Sequence, residues 1–219
     1  MRVSFERQLN EMHDKLVEMF SFVEKSLKDS SKALITKDKD LAREIIKRDK
    51  ITDEMEKNIE SLCTQIILRQ QPVASDLRRI TSTLKIITDL ERIGDQTEDI
   101  AEIILMMSDD PLDRDLPILN TMYEVVTEML KQAIDSFIVS NLDLAMEVKR
   151  KDDIVDELFD QAKDKIIESI KDNTQDPSQA IDLLQIAKYL ERIGDHSENI
   201  VEWVIYTHTG EHKDFYNNQ

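Results

Sequence analysis

The sequence predicts an all-α protein made of two tandem, pseudo-symmetric three-helix bundles, each with up-down-up topology. Three observations carry that reading. The 219-residue chain holds 3 Gly, 4 Pro and 5% aromatic residues against 34% charged ones, a composition of helix formers with few breakers. Apolar residues recur at spacings of three and four over six long segments, the period of one helical face. The block Leu90-Glu-Arg-Ile-Gly-Asp95 returns 100 residues later as Leu190-Glu-Arg-Ile-Gly-Asp195.

The segments follow in order. The first, about 4–36, carries Leu9, Met12, Leu16, Met19, Phe20, Val23, Leu27 and Leu34 on one face. The second, about 38–69, repeats the period with Leu41, Ile45, Ile51, Met55, Ile59, Leu62 and Ile66. The third, about 74–107, begins after Pro72, where a missing amide does least harm. Residues 108–117 are polar and twice broken by proline, so they read as a connector. The division is therefore 1–108, a linker at 109–115, and 116–219. Three more segments follow at about 116–140, 142–171 and 178–207. Helices of about 30 residues run about 45 Å, and three joined by tight turns form a bundle.

Duplication is visible a second time. Asp40-Leu-Ala-Arg-Glu44 with Asp49, Ile51 and Asp53-Glu54 matches Asp143-Leu-Ala-Met-Glu147 with Asp152, Ile154 and Asp156-Glu157, 103 residues on. Matches on two of three helices, in the same order, mark an internal repeat.

Charge narrows the function. With 29 Lys and Arg against 46 Asp and Glu, the net charge is −17. Such a chain does not displace counterions from nucleic acid, and an anionic membrane face repels it. It suits cations or a basic partner surface. One cysteine, Cys63, makes neither an intramolecular disulfide nor a thiolate metal cluster. No apolar run approaches the roughly 20 residues that span a bilayer, and the charged start lacks the apolar stretch of a signal peptide. A cytoplasmic protein without membrane insertion is expected.

The acidic residues have a pattern. Glu91, Asp95, Glu98 and Glu102 fall at i, i+4, i+7 and i+11, one stripe of a helix, with Asp99 beside it. Glu191, Asp195, Glu198 and Glu202 repeat the stripe beside Asn199. Asp49 and Asp53 lie one turn apart, as do Asp152 and Asp156, roughly opposite Ile51/Met55 and Ile154/Leu158 on a helical wheel. That placement predicts stripes facing away from their own core, the usual sign of a solvated surface. Two features count against the bland reading. The stripe is poor in Lys at i+4, so its carboxylates repel, by about 1 kcal/mol per pair at 4 Å in water. The same register also recurs in both halves. A divalent cation would reverse that repulsion, and oxygen-only ligands suit Mg²⁺, Mn²⁺, Ca²⁺ or iron rather than thiolate-held zinc. Gly94 and Gly194, mid-helix inside the motif, read either as close helix packing or as room for a ligand. His196, next to Asp195, reads as a hydrogen-bonded side chain or a peripheral ligand.

Paired acidic motifs of this kind, twice repeated on six helices, resemble the PhoU family of bacterial phosphate-signalling regulators over nearly the whole chain. The resemblance implies two three-helix bundles that can hold metal at the acidic motifs. By position, Asp49, Asp53, Glu91 and Asp95 would form one site with Asp99 beside them. Asp152, Asp156, Glu191 and Asp195 would form the other, with Asn199 as a weaker counterpart of Asp99. The metal expected is divalent or ferric, with iron, manganese, magnesium and zinc the candidates. It further implies a negative regulator of the phosphate-starvation response, linking the ATPase of a phosphate ABC transporter to a sensor histidine kinase. A homodimer is an assembly it allows. The alternative is an accessory or structural helical protein of a different phosphate transporter, without kinase signalling. Catalysis is not expected. The Glu-x-x-His motif of di-iron carboxylate enzymes is absent, since Asn10, Ile193, Ile205 and Thr209 stand three residues before the four histidines. There is also no Gly-x-Ser-x-Gly and no P-loop.

Overall fold

The computed structural model describes residues 2–108, 116–172 and 176–211, so the linker expected at 109–115 lies outside the described residues. Six helices follow one another: α1 (Arg2–Thr36), α2 (Lys39–Gln70), α3 (Ala74–Met106), α4 (Leu116–Val139), α5 (Leu142–Lys171) and α6 (Pro177–Thr209). No described residue lies in a strand. No described helix is long and apolar enough to cross a membrane.

The turns repeat as the helices do. Asp38 caps α2 by accepting from the amides of Asp40 and Leu41, and Asn141 caps α5 by accepting from Asp143 and Leu144. Each satisfies amides that have no partner in the first helical turn. Just before each cap, Lys37 (φ 52°) and Ser140 (φ 54°) take the left-handed conformation that ends the preceding helix. The cap amides then bond back five residues, Asp38 to Ala33 O at 3.0 Å and Asn141 to Ser136 O at 3.1 Å.

Within each half the middle helix packs on the third, and the two halves meet along α3 against α6 and α1 against α4. One continuous apolar core runs through both halves. α3 and α6 are central, so their seams are buried almost end to end, from Ile80 to Ile104 and from Ala180 to Val204. Cys63 is a buried core residue whose thiol is pushed by burial to about 12. Polar groups at the central crossing find partners across it. His196 Nδ1 is hydrogen-bonded to Asp89 Oδ1 at 2.9 Å, and the Tyr189 hydroxyl bonds to Asp99. Positions 89 and 189 are repeat equivalents, but their partners differ in register, since the counterpart of His196 is Gln96 and Tyr189 bonds to Asp99.

Candidate metal centre

The site begins with a close helix contact. Thr52 of α2 is buried against Gly94 of α3, where a Cβ would stand 3.0 Å from the Thr52 methyl carbon. In the second half, a Cβ at Gly194 would stand 3.3 Å from Asp152 Oδ1 and 3.4 Å from Val155. Both glycines therefore serve helix approach, and at Gly194 one of the neighbours is itself a site carboxylate. Thr52 lies between Asp49 and Asp53 on α2, so this contact turns both aspartates toward the acidic stripe of α3. Asp49, Asp53 and Asp95 each offer an oxygen within 4.8 Å of the others, and all three are half-buried.

The stripes do not face away from their own core, contrary to the wheel drawn on Ile51 and Ile154. Those isoleucines are each 46% exposed, while Thr52 is 3% and Val155 1% exposed. The buried seam of α2 runs through Ala42, Ile45, Thr52, Ile59, Cys63 and Ile66. Its central member is polar, so the apolar pattern alone put the seam on the wrong side. The aspartates border the packed face and look across at α3. They do not form a free solvated stripe.

Desolvation dominates the electrostatics. The carboxyl of Asp49 is raised above the ordinary range by burial, then by Asp95 and Asp53. Burial and then Asp95 push Glu91 up to about 7, with Arg92 partly offsetting them. Glu98 is held at about 7 by burial and then by Asp49, with which its carboxyl hydrogen-bonds. Asp49 Oδ1 and Glu91 Oε2 are buried and have no hydrogen-bond partner. A buried carboxylate oxygen without a partner is costly, and a hard cation satisfies it. The donor set of the first half thus fits such an ion.

Cations do compensate part of the site, Arg92 from within the stripe and Lys57 one turn after Asp53. Arg92 reaches Asp95 at 2.9 Å and Glu91 at 3.5 Å, and Lys57 reaches Asp53 at 3.2 Å. Asp99, expected beside the site, contributes its charge to Asp49 but spends its hydrogen bond on Tyr189.

The second half is arranged differently. Asp152 is half-buried and pushed to about 7 by burial, then by Glu198, Asp195 and Asp156. Asp156, Asp195 and Asn199 are exposed, and Glu191 is paired with Lys188 at 2.6 Å. Lys149 of α5 reaches Glu198 at 2.7 Å and Glu202 at 2.5 Å. Burial opposes its charge, but those two carboxylates outweigh burial and hold the ammonium at about 12. Its repeat equivalent is Ile46. The three-oxygen cluster of the first half is not matched among Asp152, Asp156, Glu191 and Asp195. His196 is hydrogen-bonded through Nδ1 to Asp89.

Sequence reasoning passed over Glu98 and Lys149 as site residues. Glu98 was legible as the next member of the Glu91 stripe. The signal for Lys149 was the mismatch with Ile46 one turn before the aligned aspartates.

Comparison with known proteins agrees with this architecture. The PhoU domain model matches residues 16–104 and again 119–204. The chain is 39% identical over 214 residues to the phosphate-specific transport system accessory protein PhoU homolog of Clostridium acetobutylicum, covering 97% of this chain and 98% of that protein. It is 34% identical to PhoU homolog 1 of Thermotoga maritima, covering 95% and 90%. The crystal structure of PhoU from Pseudomonas aeruginosa superposes with a TM-score of 0.91 at 33% identity, covering 94% of this chain and all of that one. The phosphate transport system regulatory protein PhoU from Streptococcus pneumoniae gives 0.88 at 28% identity, covering 94% and 98%. Two domain matches in tandem, relatives along almost the full length and the same six-helix fold together place the chain in the PhoU family.

Proposed function

We propose that this chain is a non-catalytic accessory regulator of a phosphate-specific transport system that holds hard cations in its acidic helical grooves. In this reading it works in the cytoplasm and links the transporter's ATPase to a sensor histidine kinase, restraining the phosphate-starvation response. The observation that carries the cation is the convergence of Asp49, Asp53 and Asp95, whose oxygens lie within 4.8 Å of one another, beside a buried Glu91 oxygen that accepts no hydrogen bond and has the Arg92 guanidinium 3.5 Å away. At about 4 Å and an effective dielectric near 20, each such repulsion is about 4 kcal/mol, and a bound divalent ion turns it into attraction. Asp152, Asp156, Glu191 and Asp195 would supply a second, more open groove. The transport system is the one named for the relatives. The partner contacts follow from charge: an acidic surface steers toward basic patches, and such contacts weaken with salt.

The test has two parts. Metal analysis of protein purified without chelator should find a cation that Glu91→Gln with Asp95→Asn removes while helicity is retained. Binding to the transporter ATPase and to the kinase's cytoplasmic domain should be measurable and weaker at high salt. A deletion strain should keep the starvation response switched on in high phosphate. Binding to a transporter alone, with normal repression in that strain, would favour an accessory protein without kinase signalling.

A further inference from the structure

A second polar site lies away from the acidic grooves. His13 of α1, Arg79 of α3, Phe137, Ile138 and Ser140 at the end of α4, and Thr207 and His208 at the end of α6 line a pocket of about 240 Å³. In a chain with 46 Asp and Glu, no carboxylate lines it. Neither Arg79 nor the adjacent Arg78 forms an ion pair among the described residues. Arg78 lies where a Cβ on Gly210 would stand 3.7 Å from its guanidinium, and it keeps a buried Nε without a hydrogen-bond partner. His13 stacks on Phe137 with ring centroids 5.1 Å apart, and its buried Nδ1 also has no partner. Burial and then the Arg79 charge disfavour its protonated form, with Asp14 pulling the other way.

The internal repeat shows what these positions do when no ligand is wanted. One hundred residues separate Arg79 from Gln179, and Ser108 from His208. At the opposite end of the molecule Gln179 Nε2 donates to Ser108 Oγ at 3.3 Å, a contact between two neutral side chains. Their equivalents Arg79 and His208 both line the pocket at this end, where the guanidinium carries five N–H donors and no acceptor, more than one imidazole nitrogen can satisfy. A basic residue in the last turn of α6 suits the negative end of that helix, which accounts for His208 alone. It does not account for an arginine and a partnerless His13 nitrogen in the same pocket.

We propose that this pocket binds a tetrahedral oxyanion, with inorganic phosphate as its reference ligand, between the Arg79 guanidinium, His208 and His13. Arginine's planar fork matches phosphate oxygens two at a time, and Ser140 adds a hydroxyl at the rim. Phe137, Ile138 and Val204 wall the pocket, leaving room for the organic part of a phosphomonoester. The site shares no residue with the acidic grooves, so it stands or falls independently of cation binding there.

The test uses the full chain stripped with chelator, so that no groove-bound metal can carry the anion. Calorimetry with inorganic phosphate at physiological salt should show saturable binding at one site. Arg79→Gln and His208→Ser install the residues of the other half, and each should weaken binding about tenfold or more, the loss of one charge-assisted hydrogen bond. His208 is exposed, so its variant stays folded and decides the matter even if Arg79→Gln does not. Phenyl phosphate binding more tightly than phosphate would assign the pocket to a monoester; equal binding would assign it to the free anion. No saturable binding of either ligand, or binding that both variants leave unchanged, overturns the proposal.

Discussion

The two halves carry the same motif and have different interiors. In the first half Thr52 packs on Gly94, Asp49 and Glu98 face each other, and Ile46 brings no charge between them. In the second half Val155 takes the place of Thr52, and Lys149, the equivalent of Ile46, extends an ammonium to Glu198 and Glu202. Asp53 and Asp95 are half-buried, whereas Asp156 and Asp195 are exposed. Duplication has kept the backbone register and the placement of the carboxylates. The balance of charge around them was set by single residues outside the motif. A repeated motif is thus evidence for repeated geometry, and not for repeated affinity.

The largest effect should come from the motif itself. Glu91→Gln with Asp95→Asn should lower Mn²⁺ affinity by about a hundredfold or more, since on the proposed reading it takes two anionic ligands from one ion. Glu191→Gln with Asp195→Asn should cost less, because that groove is open and already holds a lysine. Calorimetry on stripped and reloaded protein measures both, and equal losses would break the comparison.

Lys149→Ile, which installs the residue of the first half, should make the grooves alike. Without metal it should destabilise the fold by about 1–3 kcal/mol, because Glu198 and Glu202 lose their partly buried partner. With Mn²⁺ it should gain a second tightly held equivalent. Chemical denaturation with and without the ion reads both effects, and an unchanged stoichiometry would show that Lys149 does not govern the second groove.

A pH series sharpens the same contrast. Glu91 and Glu98 are held at about 7 in the folded chain, above their ordinary value of 4.5. Between those values the folded state binds more protons than the unfolded one, so stability falls as pH rises through that window. In chelator, the melting temperature should be higher at about pH 5 than at about pH 8, and saturating Mn²⁺ should narrow the gap at the higher pH. Glu98→Gln should flatten the slope.

The smallest effect concerns the glycines. Gly94→Ala forces a methyl to 3.0 Å from the buried, β-branched Thr52, and should destabilise by about 1–2 kcal/mol after the helix-propensity gain. Gly194→Ala meets Asp152 Oδ1 at 3.3 Å, a carboxylate that can rotate away, and should be within about 0.5 kcal/mol of neutral. Melting curves of the two variants give the ordering directly.

The sequence by itself determined the six helices, their order and the repeat, because helix periodicity, proline breaks and N-caps are local signals. Asp38 and Asn141 cap because they are short acceptors just before a helix, and no distant residue is needed for that. Helix geometry put Asp49 with Asp53 and Glu91 with Asp95 one turn apart, but only the resemblance to PhoU proteins grouped the four, and the wheel turned their stripes away from the core. Only the tertiary structure decided which side of α2 is buried. Thr52 is polar and Ile51 apolar, and the packing of Thr52 on Gly94 overrode that difference. Tertiary packing also brought Lys149 to Glu198 and turned Asp99 toward Tyr189. It gathered Arg79, His13 and His208 from helices far apart in the chain. Charge acts across space at distances set by packing, so the sign of a groove is legible in sequence only where its neighbours lie on the same helix.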